Sequence, residues 1–202
     1  MNRFPFYKDL SKGAKKLIEE NSMEVSMPAG MELFAQGEQC RDILFLVDGF
    51  VRVYRHHISG QEITLYYLEP FEQCNINLNS AFANSPAAGT AVSDSEISGY
   101  MFSAPIIKSL YTSEPAYQQY IFELFSRRLE GMAGLVEDVR FKKMDERLLD
   151  WLKLQNSKII KITHDKLAAH LGTSREVISR SLKEFERRDI LELRRGEVEL
   201  KL

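Results

Sequence analysis

"THDKLAAHLGTSREVISRSLKEFERR", Thr163–Arg188, holds two helical patterns separated by one glycine. Thr163 is a good cap for a first helix carrying Leu167, Ala168 and Leu171. Asp165 falls in its first turn, where a negative charge is favourable. Gly172 ends that helix. Thr173 is expected to open the next one, because Thr173 and Glu176 have the T-x-x-E spacing of a capping box. In the second helix Ile178, Leu182 and Phe185 share one face, at steps of four and three. Glu176, Ser179, Arg180 and Lys183 share the other face at the same steps.

Two helices joined by a tight glycine turn, one face apolar and the other carrying Arg, Glu and Ser, suit a helix-turn-helix. Its second helix, spanning residues 174–188, would enter the major groove of double-stranded DNA N-terminus first. Arginine can donate two hydrogen bonds to a guanine edge there, and glutamate can accept from a cytosine amino group. Arg175, Glu176, Ser179 and Arg180 are the expected base contacts. Thr163, Thr173, Ser174, Lys183, Arg187 and Arg195 are the expected phosphate contacts, which supply affinity without sequence. "LELRRGEVEL", residues 191–200, reads as a hairpin turning at Arg195-Gly196, a wing beside the reading helix. A solvated surface helix also carries a charged face, so periodicity alone leaves both readings open.

The chain has 202 residues, room for two domains, and its 44% hydrophobic and 28% charged residues are ordinary for a globular protein with a real core. The net charge of −2 hides an asymmetry. From residue 155 onward there are 11 Lys and Arg against 8 Asp and Glu, so the body of the chain is acidic and its C-terminal part mildly basic. That suits a polyanion at one end. No apolar run is long enough for a membrane helix, and the N-terminus lacks a signal-peptide core. A cytoplasmic protein is expected. Two cysteines, Cys40 and Cys74, cannot build a disulfide framework or a four-thiolate metal site.

Asp9 to Asn21 reads as a short amphipathic helix. From Val25 to about Ser103, short apolar runs alternate with glycine turns: Ile43–Val47, Val51–Tyr54, Ile63–Leu68 and Glu96–Phe102. That spacing predicts an antiparallel β barrel or roll. A long helix is expected from Pro115 to about Lys143. Phe122, Phe125, Leu129, Met132, Val136 and Val139 recur at steps of three and four, the seam of a helix that pairs with its own copy. The same face could instead pack on the β domain, and Leu124, Leu135 and Phe141 widen the stripe. Asp145 is expected to cap a new helix over "ERLLDWLKL", and "NSKIIKI" is strand-like. The expected organisation is α+β: a β-roll sensor over residues 1–114, a dimerisation helix over 115–144 and a winged helix-turn-helix over 145–202.

"GTSREVISRSLKEFERR" resembles the recognition helix of CRP/FNR superfamily transcription regulators. The family's R-E-x-x-[GS]-R pattern falls on Arg175, Glu176, Ser179 and Arg180. "PAGMELFAQGE" and "ILFLVDGFVRVYR" are similar to the family's β-roll, with its turn glycines at Gly30, Gly37 and Gly49. The resemblance covers nearly the whole chain. It implies a homodimeric regulator that places one helix per subunit in successive major grooves of a palindromic site, with RNA polymerase as a further partner. Activation and repression both stay open.

The family's cyclic-nucleotide branch uses a cassette close to G-E-x-x-x-L followed by R-[ST]-A. Here the first part falls on Asn75 and Ile76 and the second near Ser85-Pro86. No Lys or Arg lies between Glu62 and Lys108. A buried cyclic phosphate without a cation is costly, so cyclic AMP is not expected to bind. The iron–sulfur branch needs an N-terminal cysteine cluster that is absent. Haem is not expected either, although Cys74 offers a ligand. His56 and His57 are adjacent, so on a strand they point to opposite faces. Cys74, Asn75 and Asn77 are the candidate effector or redox positions. Cys74 could sense oxidants through its thiolate, or be a small buried hydrophobe. A constitutive DNA binder is the other alternative.

An enzyme on a cupin-like barrel would need a histidine-rich metal cluster. The four histidines, His56, His57, His164 and His170, cannot assemble one, and no G-x-S-x-G or phosphate loop appears. No catalytic function, metal or cofactor is expected. A module that binds only a protein partner would lack the steep salt dependence of DNA affinity.

Overall fold

The alternation of apolar residues and glycine turns between residues 23 and 103 folds into two antiparallel sheets, in a computed structural model that describes residues 1–201. One sheet pairs β1 (Met23–Met27), β7 (Ile97–Ser103) and β3 (Asp42–Asp48), in that order. The other runs β2 (Glu32–Phe34), β6 (Thr90–Ser93), β4 (Val51–His56), β5 (Glu62–Leu68). Leu44, Leu46, Val51, Val53, Leu68, Ala91 and Ile97 form the core of this roll. Gly99 is required by the close approach of β3 to β7: a Cβ there would stand 2.4 Å from the Phe45 carbonyl oxygen. β2 and β6 were not anticipated. They have three and four residues, too few for a legible period.

A second core lies where helices cover the roll. It joins Phe4, Phe6, Ile18, Phe45 and Phe102 to Ile107, Leu110, Tyr117, Tyr120 and Leu124. α1 is Lys12–Asn21, α3 is Ala104–Ser113 and α4 is Pro115–Phe141. The expected start of α1 at Asp9 is corrected to Ser11, whose hydroxyl oxygen accepts from the Ala14 N–H at 3.1 Å. Ser11 is held there because its own N–H and hydroxyl donate to the buried Glu114 carboxylate, at 3.0 and 2.6 Å.

The polar segment after β5 forms a helix, α2 (Asn75–Ala83), with Asn75, Ile76 and Asn77 buried. Asn77 donates to the Asp42 carbonyl at 3.1 Å, and Ser80 donates to the Ser85 carbonyl at 2.6 Å. These bonds hold two side chains that, read singly, also suit a turn.

Backbone contacts divide the described chain into two units, Met1–Arg55 with Leu65–Gly131, and His56–Thr64 with the described residues from Met132 onward. The second contains α5 (Met144–Leu154), β8 (Ile159–Lys161), α6 (His164–Leu171), α7 (Arg175–Arg187), β9 (Leu191–Arg194) and β10 (Glu197–Leu200). Its three strands run β8-β10-β9, and Leu148, Leu152, Leu167, Leu171, Ile178, Leu182, Phe185 and Val198 make its core. Asp145 is not the cap of α5. Lys143 takes that place, because the Glu146 carboxylate reaches back to its N–H at 3.0 Å. Asp145 lies in the first turn instead, where its charge opposes the helix dipole. Among the described residues no helix is long and apolar enough to cross a membrane.

Candidate nucleic-acid interface

α6, the turn at Gly172 and α7 form a helix-turn-helix as the apolar spacing predicts. Thr163 caps α6, its hydroxyl oxygen accepting from the Lys166 N–H at 3.2 Å. Gly172 takes the left-handed conformation, φ +67°, and ends α6. The Thr173 N–H is then spent on the Ala168 carbonyl at 3.0 Å, within α6. Thr173 is therefore not the cap of α7. Ser174 is, with its hydroxyl oxygen accepting from the Val177 N–H. Hydrogen bonding to the backbone at the helix start, and then to Ser174, holds the Glu176 carboxyl below the usual carboxylate range. The Arg147 guanidinium donates to the Leu171 carbonyl at 2.8 Å, satisfying one of the last carbonyls of α6.

Ile178 and Leu182 are fully buried and Phe185 nearly so, which anchors the inner face of α7 on the unit's core. The opposite face presents Arg175, Glu176, Arg180 and Lys183 to solvent, and Arg187 follows on the last turn. Ser179 is half-buried, and its hydroxyl oxygen lies 2.8 Å from the His164 Nδ1. Arg175 Nε stands 3.7 Å from the Asp165 carboxylate. β9 and β10 form the expected wing, turning at Arg195 and Gly196. Arg194 bridges the Glu192 and Glu199 carboxylates at 3.2 and 2.8 Å, while Arg195 is exposed at the tip.

A cleft of about 330 Å³ opens between the start of α6 and the wing, and Thr163, His164, Arg175 and Arg195 line it. Two expected phosphate positions and one expected base position thus face one recess. His164 was missed as part of this surface. No periodicity marks it, and its contact with Ser179 and its place in the cleft wall reveal it.

Around α2 the geometry changes what the sequence window suggested. That window lacks a cation, yet Arg128 of α4 lies with its guanidinium 4.1 Å from the Tyr66 ring centre and pairs with the Glu72 carboxylate. Arg127 pairs with the same carboxylate at 3.1 Å. Tyr117 donates to Gln73 at 2.6 Å, so the loop before α2 is tied to α4 repeatedly. Ile76, at the position where the cyclic-nucleotide cassette carries glutamate, packs into the roll core. Asn75 is 4% exposed, and neither atom of its amide has a hydrogen-bond partner. Cys74 is buried with its Sγ 3.8 Å from the Tyr66 hydroxyl, and burial pushes its thiol pKa up. Cys40 is shifted the same way by burial.

Along α4 the apolar stripe splits. Tyr117, Tyr120, Ile121 and Leu124 enter the core of the first unit. Phe122, Phe125, Leu129, Val136 and Val139 are exposed, and Met132 is half-buried.

Residues 24–114 match the cyclic nucleotide-binding domain family, and residues 146–201 match the Crp-like helix-turn-helix domain family. The cyclic AMP receptor protein of Thermus thermophilus is 29% identical over 178 residues, covering 86% of this chain and 82% of that protein. A CRP-like cAMP-activated global transcriptional regulator of Mycobacterium tuberculosis is 21% identical over 202 residues, covering 95% of this chain and 89% of the relative. Among solved structures, a crp/fnr-family transcriptional regulator from Eubacterium rectale superposes with a TM-score of 0.89 at 28% identity, covering 99% of this chain and 94% of that one. The c-di-GMP responsive regulator CLP of Xanthomonas campestris shares the fold, with a TM-score of 0.83 at 17% identity, covering 94% of this chain and 99% of that one.

Proposed function

The chain belongs to the CRP/FNR family of DNA-binding transcription regulators, and on that premise we propose that it works as a homodimer reading a palindromic operator through α7, under control of a signal other than a cyclic nucleotide. The observation that carries the DNA reading is the division of α7, with Ile178, Leu182 and Phe185 locked in the core while Arg175, Glu176 and Arg180 stand free of it. Arg175, Glu176, Ser179 and Arg180 read base edges. Thr163, Thr173, Ser174, Lys183, Arg187 and Arg195 hold phosphates, Thr163 and Ser174 from helix starts where N–H groups favour an anion. Residues 145–202 act as the DNA-binding domain, 115–144 as the dimer helix and 1–114 as the sensor. The dimer is supported by the exposed row of Phe122, Leu129 and Val136 on α4. RNA polymerase is the partner of the promoter-bound dimer in the cytoplasm.

Two observations support a signal other than a cyclic nucleotide, although the Thermus thermophilus relative is named for cyclic AMP. Ile76 supplies no carboxylate for a ribose. Arg128 already serves Glu72, so a cyclic phosphate would have to displace a paired carboxylate. The unpartnered Asn75 amide favours a small polar ligand, since each orphaned polar group costs about 1–3 kcal/mol that a ligand would recover. A thiol sensor at Cys74 is disfavoured, because burial keeps the thiol protonated and the thiolate is the reactive form. Haem has little support at the same buried thiol.

The test is DNA affinity on a site selected from random duplex. Arg180→Ala is expected to cost about 1–3 kcal/mol per half-site, and wild-type affinity is expected to fall steeply with salt. Unchanged affinity in the variant, together with a shallow salt slope, would remove α7 from the interface.

A further inference from the structure

We propose that His164 is a specificity-setting positioning residue: its Nδ1 decides whether the Ser179 hydroxyl meets DNA as a hydrogen-bond donor or only as an acceptor. The inference rests on α7 being the reading helix and goes beyond it, to how one reading residue acquires its polarity.

The geometry is a 2.8 Å contact between His164 Nδ1 and Ser179 Oγ, linking the first residue of α6 to the reading face of α7. A serine hydroxyl has one proton to donate and two lone pairs, and a neutral imidazole has one donor and one acceptor nitrogen. When Nδ1 carries the lone pair, Ser179 donates inward. Only its lone pairs then remain for DNA, which suits the amino group of adenine or cytosine. When Nδ1 carries a proton, the ring donates and the serine proton is released outward. That suits guanine O6 or N7, or thymine O4. One side chain can thus present two opposite faces, chosen by a neighbour that need not touch a base.

His164 also lines the cleft beside the wing, so the choice is exposed to what enters there. Asp165 and Glu197 bring carboxylates to the wall of that cleft, and Arg175, Arg194 and Arg195 bring guanidiniums.

The experiment selects duplexes from a pool randomised at each operator position, using full-length native protein, His164→Ala and Ser179→Ala. Base preference at the pair facing Ser179 is expected to change about fivefold in His164→Ala, the size of one net hydrogen bond, and to be lost in Ser179→Ala, with preference at the other pairs kept. A purely structural His164 would lower affinity evenly across all pairs, and that result overturns the proposal. Arg180→Ala is the control. If it changes preference at its own pair while His164→Ala changes nothing, the proposal fails and the reading helix stands. If neither variant changes any preference, the assignment of α7 fails and the proposal with it.

Discussion

Replacing Leu129 by alanine should weaken self-association and leave the fold intact. Leu129 is 71% exposed in the single chain and lies outside all three cores. Full burial of a leucine stabilises by about 1.5–3 kcal/mol. With roughly seven-tenths of its surface still open, about 1–2 kcal/mol remains to be gained when a partner helix covers it. A two-fold dimer contains the residue twice, so the loss is about 2–4 kcal/mol, or roughly 30- to 1,000-fold in the dimer Kd. Val136→Glu should act in the same direction, by setting two carboxylates against each other at the seam. Sedimentation equilibrium over a range of concentrations measures the dimer Kd, and thermal unfolding checks the folded monomer. Unchanged association in both variants would refute the seam, as would a native protein that stays monomeric at every concentration.

Calorimetry with cyclic AMP at micromolar concentration should give no saturable heat, because Ile76 and the Glu72-paired Arg128 offer neither a ribose carboxylate nor an open cation. Saturable binding would overturn that expectation. Cys74 should react slowly with a thiol reagent in the native protein and quickly once unfolded, since its Sγ is buried and its thiol pKa is raised by that burial. Rapid native labelling, coupled to a change in operator affinity that Cys74→Ser abolishes, would restore a thiol sensor.

The parts of the chain legible from sequence are those where local period and burial agree. Ile178, Leu182 and Phe185 recur at helical spacing, and the same three residues are buried. The strands from Asp42 to Leu68 were visible because glycine turns at Gly49 and Gly60 separate their apolar runs. Helix starts were less legible. Thr173 and Ser174 are equally good caps by residue type, and the choice fell to Ser174 because the Thr173 N–H was already spent on Ala168. Asp145 yielded to Lys143 because a glutamate three residues on captured the earlier N–H. Such choices depend on which donor finds an acceptor first, and residue type does not encode that.

The sequence by itself therefore determined the family, the order of roll, long helix and winged helix-turn-helix, and the charged face of α7. Each of these follows from periodicity or from a motif contiguous in the chain. Only the tertiary structure decided that α4 divides its apolar stripe between a core and an open row. It also brought Arg128 to Glu72 and Tyr66 across 56 and 62 residues, and His164 to Ser179 across 15. Charge and hydrogen-bond partners are set by distance through space, where separation along the chain carries almost no information. For that reason the two-faced helix α7 was visible in the sequence, and the histidine behind it became visible only in the fold.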